Sequence, residues 1–233
     1  KLDSGRNPFM EPGLEGDEDT PAVTEQAAAM KAYSALAVAL DDDRYPLFRN
    51  PTSASSFKKY AEEILMMLRD SSDDVFGCKT KDLSGTISSL VQHHRSNPSN
   101  ELLKYIASLA VELESRMDMS GNIARFPDSD TFTSNSSCFY VIKPLIESYR
   151  VTGIEKLLDA STLLYRKLDL CWDRSCGLYS LEPGDKYKYT LRDVGYVIAG
   201  LNTVRLFGDP SVRDEAAARL AAFFNSAVNN HNP

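Results

Sequence analysis

The sequence has little of the chemistry that most directly announces a function. It carries three histidines and one tryptophan in 233 residues, and no basic run longer than a pair such as Lys58-Lys59. With 26 basic against 33 acidic groups the formal charge is −7. Neither nucleic acid nor an anionic membrane surface is therefore expected as a main partner. The glycines are scattered, with no phosphate-cradling run, no dinucleotide fingerprint and no Gly-x-Ser-x-Gly elbow. A Ser or Cys triad would have to draw on His93, His94 or His231, which argues against nucleophilic hydrolase chemistry. His93 and His94, as neighbours on a helix, point about 100° apart and cannot grip one ion from one face. Both are expected on the surface near a helix end. Asp41-Asp42-Asp43 and the acidic stretch at 70–74 lack the order and the closing Glu of a calcium loop. No metal and no cofactor is expected. The most apolar stretch, 27–40, is interrupted by Lys31 and Ser34 and falls short of the about 20 residues that a membrane span needs.

Cysteine is also sparse. Cys171 and Cys176 are close enough in sequence to close a small loop, and a disulfide between them is the expectation. The alternative is four reduced cysteines, with Cys138 buried at a helix start. Zinc finds no second close Cys pair and no neighbouring His. The sequence opens at Lys1 with neither Met nor an apolar leader, and Asn135-Ser136-Ser137 fits the N-glycosylation pattern. A processed chain in an extracytoplasmic space, secreted or in a compartment lumen, is the corresponding expectation.

What is present is helical periodicity. Residues 1–20, rich in Gly, Pro and acidic groups, read as an extended acidic arm, ahead of one helical-hairpin domain over 21–233. Strong helix formers with apolar residues three or four apart predict helices over 24–40 and 56–69. A third is predicted over 83–94 with Asp82 as N-cap, and a fourth over 99–117 with Ser99 as cap. Two more follow at 135–151 and 154–171, joined at Thr152-Gly153. The last pair spans 191–207 and 211–227, with Gly208 as terminator and Ser211 as cap. Gly77, Gly121 and Gly177 recur in the junctions between hairpins, a loose period expected of a helical-pair array. Pro144 should kink its helix or shift its start. The fold class is all-α, an array of about four helical hairpins.

The junction Cys171-Trp172-Asp173-Arg174-Ser175-Cys176-Gly177-Leu178-Tyr179, followed by Tyr189-Thr190-Leu191-Arg192-Asp193-Val194-Gly195, resembles a known pattern. It is similar to the helix-to-helix connectors of the six-hairpin (α/α) toroid superfamily, which includes glycoside hydrolases, N-acylglucosamine 2-epimerase-like enzymes and related polysaccharide lyases. Four hairpins imply an open or incomplete toroid. The resemblance implies acidic residues lining a central funnel, with Asp173 and Asp193 as the catalytic candidates of an acid and base pair. Trp172, Tyr179, Tyr187, Tyr189 and Arg192 are the matching ligand-binding candidates. Each also has a structural reading: Asp173 as a turn residue, Asp193 as a helix cap, the rings as cover for the core edge. The leading functional reading is a non-catalytic binding or assembly module, with a protein partner or a larger assembly and a glycan as a further ligand. The alternative is a carbohydrate-active hydrolase, lyase or epimerase that uses the acidic residues of the inter-hairpin loops.

Overall fold

Local sequence chemistry starts most of the helices. Asn50 caps α2 (Pro51–Asp70), its side chain accepting from the Ser53 amide at 3.1 Å, and Pro51 occupies a first-turn position that has no hydrogen bond to lose. Ser99 caps α5 (Asn100–Ser115) through the Leu102 amide at 3.1 Å. Ser134 caps α6 (Asn135–Thr152), which stops at Gly153 in the left-handed region (φ 72°) that favours glycine. The computed structural model describes residues 23–181 and 187–229, and the acidic arm expected over 1–20 lies outside them. The remaining elements are α1 (Val23–Asp41), α3 (Ser72–Gly77), α4 (Thr80–Ser96), α7 (Glu155–Asp169), β1 (Trp172–Asp173), β2 (Leu178–Tyr179), α8 (Leu191–Phe207) and α9 (Pro210–Phe224). A short π-helical turn, Asn225–Asn229, continues α9.

The hairpins expected from the sequence are α1–α2, α4–α5, α6–α7 and α8–α9. Helices α1, α4, α6 and α8 pack in succession as one layer, and α2, α5, α7 and α9 back them as the other. The inner position explains α4. Its residues from Leu83 through Val91 are all buried, four of them Ser or Thr. A buried hydroxyl without a partner costs free energy, and α4 meets that cost internally for three of the four: Ser84, Thr86 and Ser89 donate to the carbonyls of Thr80, Asp82 and Gly85 at 2.8, 2.9 and 2.9 Å, while the Ser88 hydroxyl has no hydrogen-bond partner. Outer helix α7 instead buries one stripe, including Leu157, Ser161, Leu164 and Leu168.

Three local expectations are corrected. Helix α4 begins at Thr80 rather than after Asp82, because the Thr80 amide donates to the Arg125 carbonyl at 2.9 Å and its hydroxyl to the Ala124 carbonyl at 2.6 Å. A distant loop thus supplies the cap. Asp209, one residue before Pro210, caps α9 by accepting from the Ser211 amide at 2.8 Å, displacing Ser211 from that role. His93 is 1% exposed rather than on the surface. Pro144 lies inside α6 and does not end it.

Candidate functional site

The connectors from outer to inner helices gather at the end of the molecule where α4, α6 and α8 begin. The longest described one, between α5 and α6, is welded down by Arg116, whose side chain is 2% exposed. Its guanidinium donates to Glu112 Oε1 at 2.9 Å, to the Cys78 carbonyl at 2.8 Å and to the Phe76 carbonyl at 2.5 Å. This fixes one wall of the end face.

The α7–α8 connector carries the residues the sequence singled out. Here β1 and β2 form a two-stranded antiparallel ribbon, Trp172 opposite Tyr179 and Asp173 opposite Leu178, turned by Gly177 at φ 71°. Asp173 Oδ1 accepts from the Ser175 amide at 2.8 Å and its hydroxyl at 2.6 Å, and Oδ2 accepts from the Tyr187 hydroxyl. That carboxylate ties the turn together. Tyr179 is 0% exposed, its ring centroid 4.8 Å from Phe139 and 4.7 Å from Trp172. Tyr189 clasps the same residue, its oxygen accepting from the Tyr179 amide at 2.8 Å and donating to the Tyr179 carbonyl. Burial, with no countercharge able to offset it, pushes the Tyr179 hydroxyl far above its ordinary pKa. Trp172 carries the Arg219 guanidinium 5.0 Å from its ring centroid, and Arg219 is held by Asp169 at 2.7 Å. The connector thus gathers these rings around one turn, with Tyr179 in the core and Trp172, Tyr187 and Tyr189 half-buried against it.

The disulfide is a correction: all four cysteines, Cys78, Cys138, Cys171 and Cys176, are free thiols. The ribbon register explains it. The Cys171 carbonyl accepts from the Ser180 amide at 2.8 Å, so the cross-strand neighbour of Cys171 is Ser180, while Cys176 sits inside the turn. Asn135, at the first residue of α6, directs its amide at Cys171 Sγ, 3.5 Å away.

Asp193 completes a capping box at the start of α8. Its Oδ2 accepts from the Thr190 amide and hydroxyl at 2.8 and 2.6 Å, and its own amide donates back to Thr190 Oγ1 at 3.2 Å. Partial burial acts to raise its pKa, but the hydrogen bonds from Thr190 and from the Ser136 hydroxyl outweigh it and hold the carboxyl below its ordinary value. Arg192 beside it is exposed.

A second group on this face escaped the sequence reading. Tyr140 of α6 and Tyr196 of α8 lie with ring centroids 4.6 Å apart and planes at 37°, and Lys81 Nζ stands 5.6 Å from the Tyr196 ring. Gly85 makes the approach possible. A Cβ there would stand 2.7 Å from Thr24 Oγ1 and 3.0 Å from the Tyr140 hydroxyl. Burial raises the Tyr140 pKa, and the neighbouring Tyr196 and Asp82 add to the rise. Ser136 and Tyr140 are four residues apart and share a face of α6. Ser136 helps to lower the Asp193 pKa, and the charge of Asp82 adds to the rise at Tyr140. The sequence signal was Asp-x-x-Gly after an inner-helix start, too short to separate from a solvated helix terminus. Among the described residues, no cluster of His, Cys, Asp and Glu could hold a metal ion, and no helix is long and apolar enough to cross a membrane.

No protein-family model and no curated protein sequence matches the chain. Among solved structures it is similar to a GH76 α-mannanase of Bacteroides thetaiotaomicron, with TM-score 0.59 and 12% identity over 86% of this chain and 60% of that one. It is also similar to an inactive variant of an α-1,6-mannanase of Salegentibacter sp. in complex with α-1,6-mannotriose, two adjacent aspartates replaced by asparagine. That match has TM-score 0.56 and 13% identity over 86% of this chain and 70% of the other. The likeness gives this chain the all-α, (α/α) toroid-like fold expected from its sequence, here as four hairpins spanning 60% of the first enzyme's length.

Proposed function

We propose that this protein is a carbohydrate-active domain of the toroid type that takes a glycan at the end of the bundle where its inner helices begin. The observation that carries the reading is the half-buried Tyr140–Tyr196 ring pair between two inner helices, with Lys81 beside it, in a fold similar to that of mannanases. Ring faces cover the apolar C–H side of a sugar. Asp82 and Asp193, in the first turns of α4 and α8, are the carboxylates this reading assigns to the acid and base that glycosidic cleavage requires. Lys81, above Tyr196, adds a donor for sugar hydroxyls. Asp173 has a supporting part, holding the ribbon that borders the site, with Tyr187 and exposed Arg192 at its rim. Because the two solved structures described above are mannanases, α-1,6-linked mannan is the first substrate to try.

A second reading, glycan binding without turnover, draws on one specific feature. Asp193 is committed to its capping box, and the first turns of α4 and α8 each carry a single aspartate, whereas the mannanase variant is inactive with an adjacent pair replaced. One experiment tests both. The purified protein is incubated with α-1,6-mannan oligosaccharides and a panel of other glycans, with reducing ends and calorimetric binding followed in parallel. Cleavage that falls about 100-fold or more in Asp82→Asn, with unchanged melting, supports the enzyme. Binding that Tyr196→Ala weakens, with no cleavage, supports the binding module. Neither binding nor cleavage across the panel overturns the proposal.

A further inference from the structure

At the end of the bundle opposite the Tyr140–Tyr196 face, the connector between α1 and α2 carries an apolar tip. Helix α1 starts with Thr24 beside Gly85 and runs 19 residues, about 28 Å, to reach it. Tyr45, Leu47 and Phe48 are 57%, 94% and 72% exposed, and Pro46 between them is exposed too. A leucine so nearly bare lies in no groove, so the tip protrudes. The turn holds it there. The Tyr45 amide donates to the Asp42 carbonyl at 3.2 Å, the Phe48 amide to the Tyr45 carbonyl at 2.9 Å, and the Asn50 amide back to the Leu40 carbonyl at 2.8 Å. Pro46 has no amide proton. Three of the four tip residues, Tyr45, Pro46 and Phe48, thus have no backbone donor to strip of water, which is what entry into an apolar phase requires. The flanking charges are paired as well: Arg44 grips Asp42 through Nε and Nη2 at 3.0 and 2.7 Å, and Arg49 meets Asp43 at 3.1 Å.

We propose that this tip is a membrane-contact loop, which inserts Tyr45, Leu47 and Phe48 into the interfacial zone of a zwitterionic phospholipid bilayer. The size of the tip separates this occupant from a protein. Its three side chains expose on the order of 400 Å², against about 800 Å² per partner in a stable protein interface. A second copy of the chain meeting it tip to tip would bury no more. A bilayer needs no complementary face, and it accepts aromatic and aliphatic side chains at headgroup depth. Charge separates the lipid classes. The loop over 41–49 carries three Asp against two Arg, and the whole chain −7, so an anionic surface repels it. Zwitterionic lipid imposes no such cost. The attachment is peripheral, since no described helix is long and apolar enough to span. It leaves the Tyr140–Tyr196 face pointing away from the bilayer, and it stands whether or not that face takes a glycan.

The test is sedimentation of the whole chain with vesicles of phosphatidylcholine alone and with phosphatidylserine added. The expected result is saturable binding to phosphatidylcholine that phosphatidylserine does not strengthen. Leu47→Ser together with Phe48→Ser should weaken it about tenfold or more. Both side chains are exposed, so the helical circular dichroism should be unchanged. If the double variant fails to fold, Phe48→Trp decides: its emission should shift to the blue on phosphatidylcholine, read as the difference from the parent chain with Trp172. The proposal is overturned if neither vesicle binds, if only the anionic one does, if the folded double variant binds as the parent chain does, or if the Phe48→Trp emission does not move. It is overturned as well if the tip drives self-association instead, seen as a dimer in solution that the double variant loses.

Discussion

At the scale of single residues, the distinction that matters is between a polar group that holds the fold and one left free for chemistry. Arg116 belongs to the first kind. Replacing it with Met strands the Phe76 and Cys78 carbonyls, while Glu112, 27% exposed, can turn to water. A loss of about 2–3 kcal/mol is expected, below the cost of abandoning a fully buried pair, and urea denaturation measures it. Asp193 belongs to both kinds. Loss of the N3 carboxylate of the capping box in Asp193→Ala, with the N-cap Thr190 kept, should cost about 0.5–1 kcal/mol. Its folded pKa is depressed, so the carboxylate contributes stability above the ordinary Asp value near 3.9, and that contribution is lost as pH falls through the folded value. Melting temperatures of wild type and Asp193→Ala should therefore converge below about pH 4.

At the scale of elements, the close approach of α6 and α8 depends on Gly200. A Cβ there would stand 2.7 Å from the Phe139 carbonyl oxygen, a backbone atom that cannot swing away. Helix propensity alone would make Gly200→Ala stabilising by about 1 kcal/mol, but the collision should reverse the sign and cost about 1–3 kcal/mol. Gly195, in the same helix with nothing within 4 Å of the added methyl, is the control and should gain stability on the same change. The ribbon makes a separate prediction. With Cys171 and Cys176 free, a reductant should leave the melting temperature unmoved. Burial raises the Cys78 and Cys138 thiols to about 11, so a thiol reagent should reach buried Cys138 only on unfolding and react slowly with half-buried Cys78.

At the scale of the whole molecule, the single tryptophan sits where the third and fourth hairpins join. Trp172 packs on Tyr179, which in turn touches Phe139 of α6 and lies 6.2 Å from Phe223 of α9. If the hairpins unfold together, the fluorescence of Trp172 and the helical circular dichroism should trace one denaturation curve. Two separated curves would show that the α8–α9 hairpin melts apart from the inner helices before it.

The hairpin order was legible in the sequence because each helix carries local start and stop chemistry, such as Ser99 at α5 and Gly153 after α6. The outer helices were legible too, since one buried stripe leaves a 3.6-residue pattern. Inner helix α4 was harder: buried nearly all round, it has no polar face to set a period, and its first turn is capped by a loop over 40 residues away in sequence. The ribbon residues were picked out as a group, but spacing could not say which way their side chains turn. Tyr179 went into the core and Asp173 into its own turn because the β1–β2 register placed them there. The sequence by itself determined the helical class, the four hairpins and the absence of nucleotide and triad motifs, all of which rest on short-range preference. Only the tertiary structure decided that Cys171 and Cys176 stay apart, that His93 is buried against Ser34, and that Tyr140 of α6 meets Tyr196 of α8. Those outcomes depend on which helices lie side by side, and distances across a bundle are set by packing rather than by spacing along the chain.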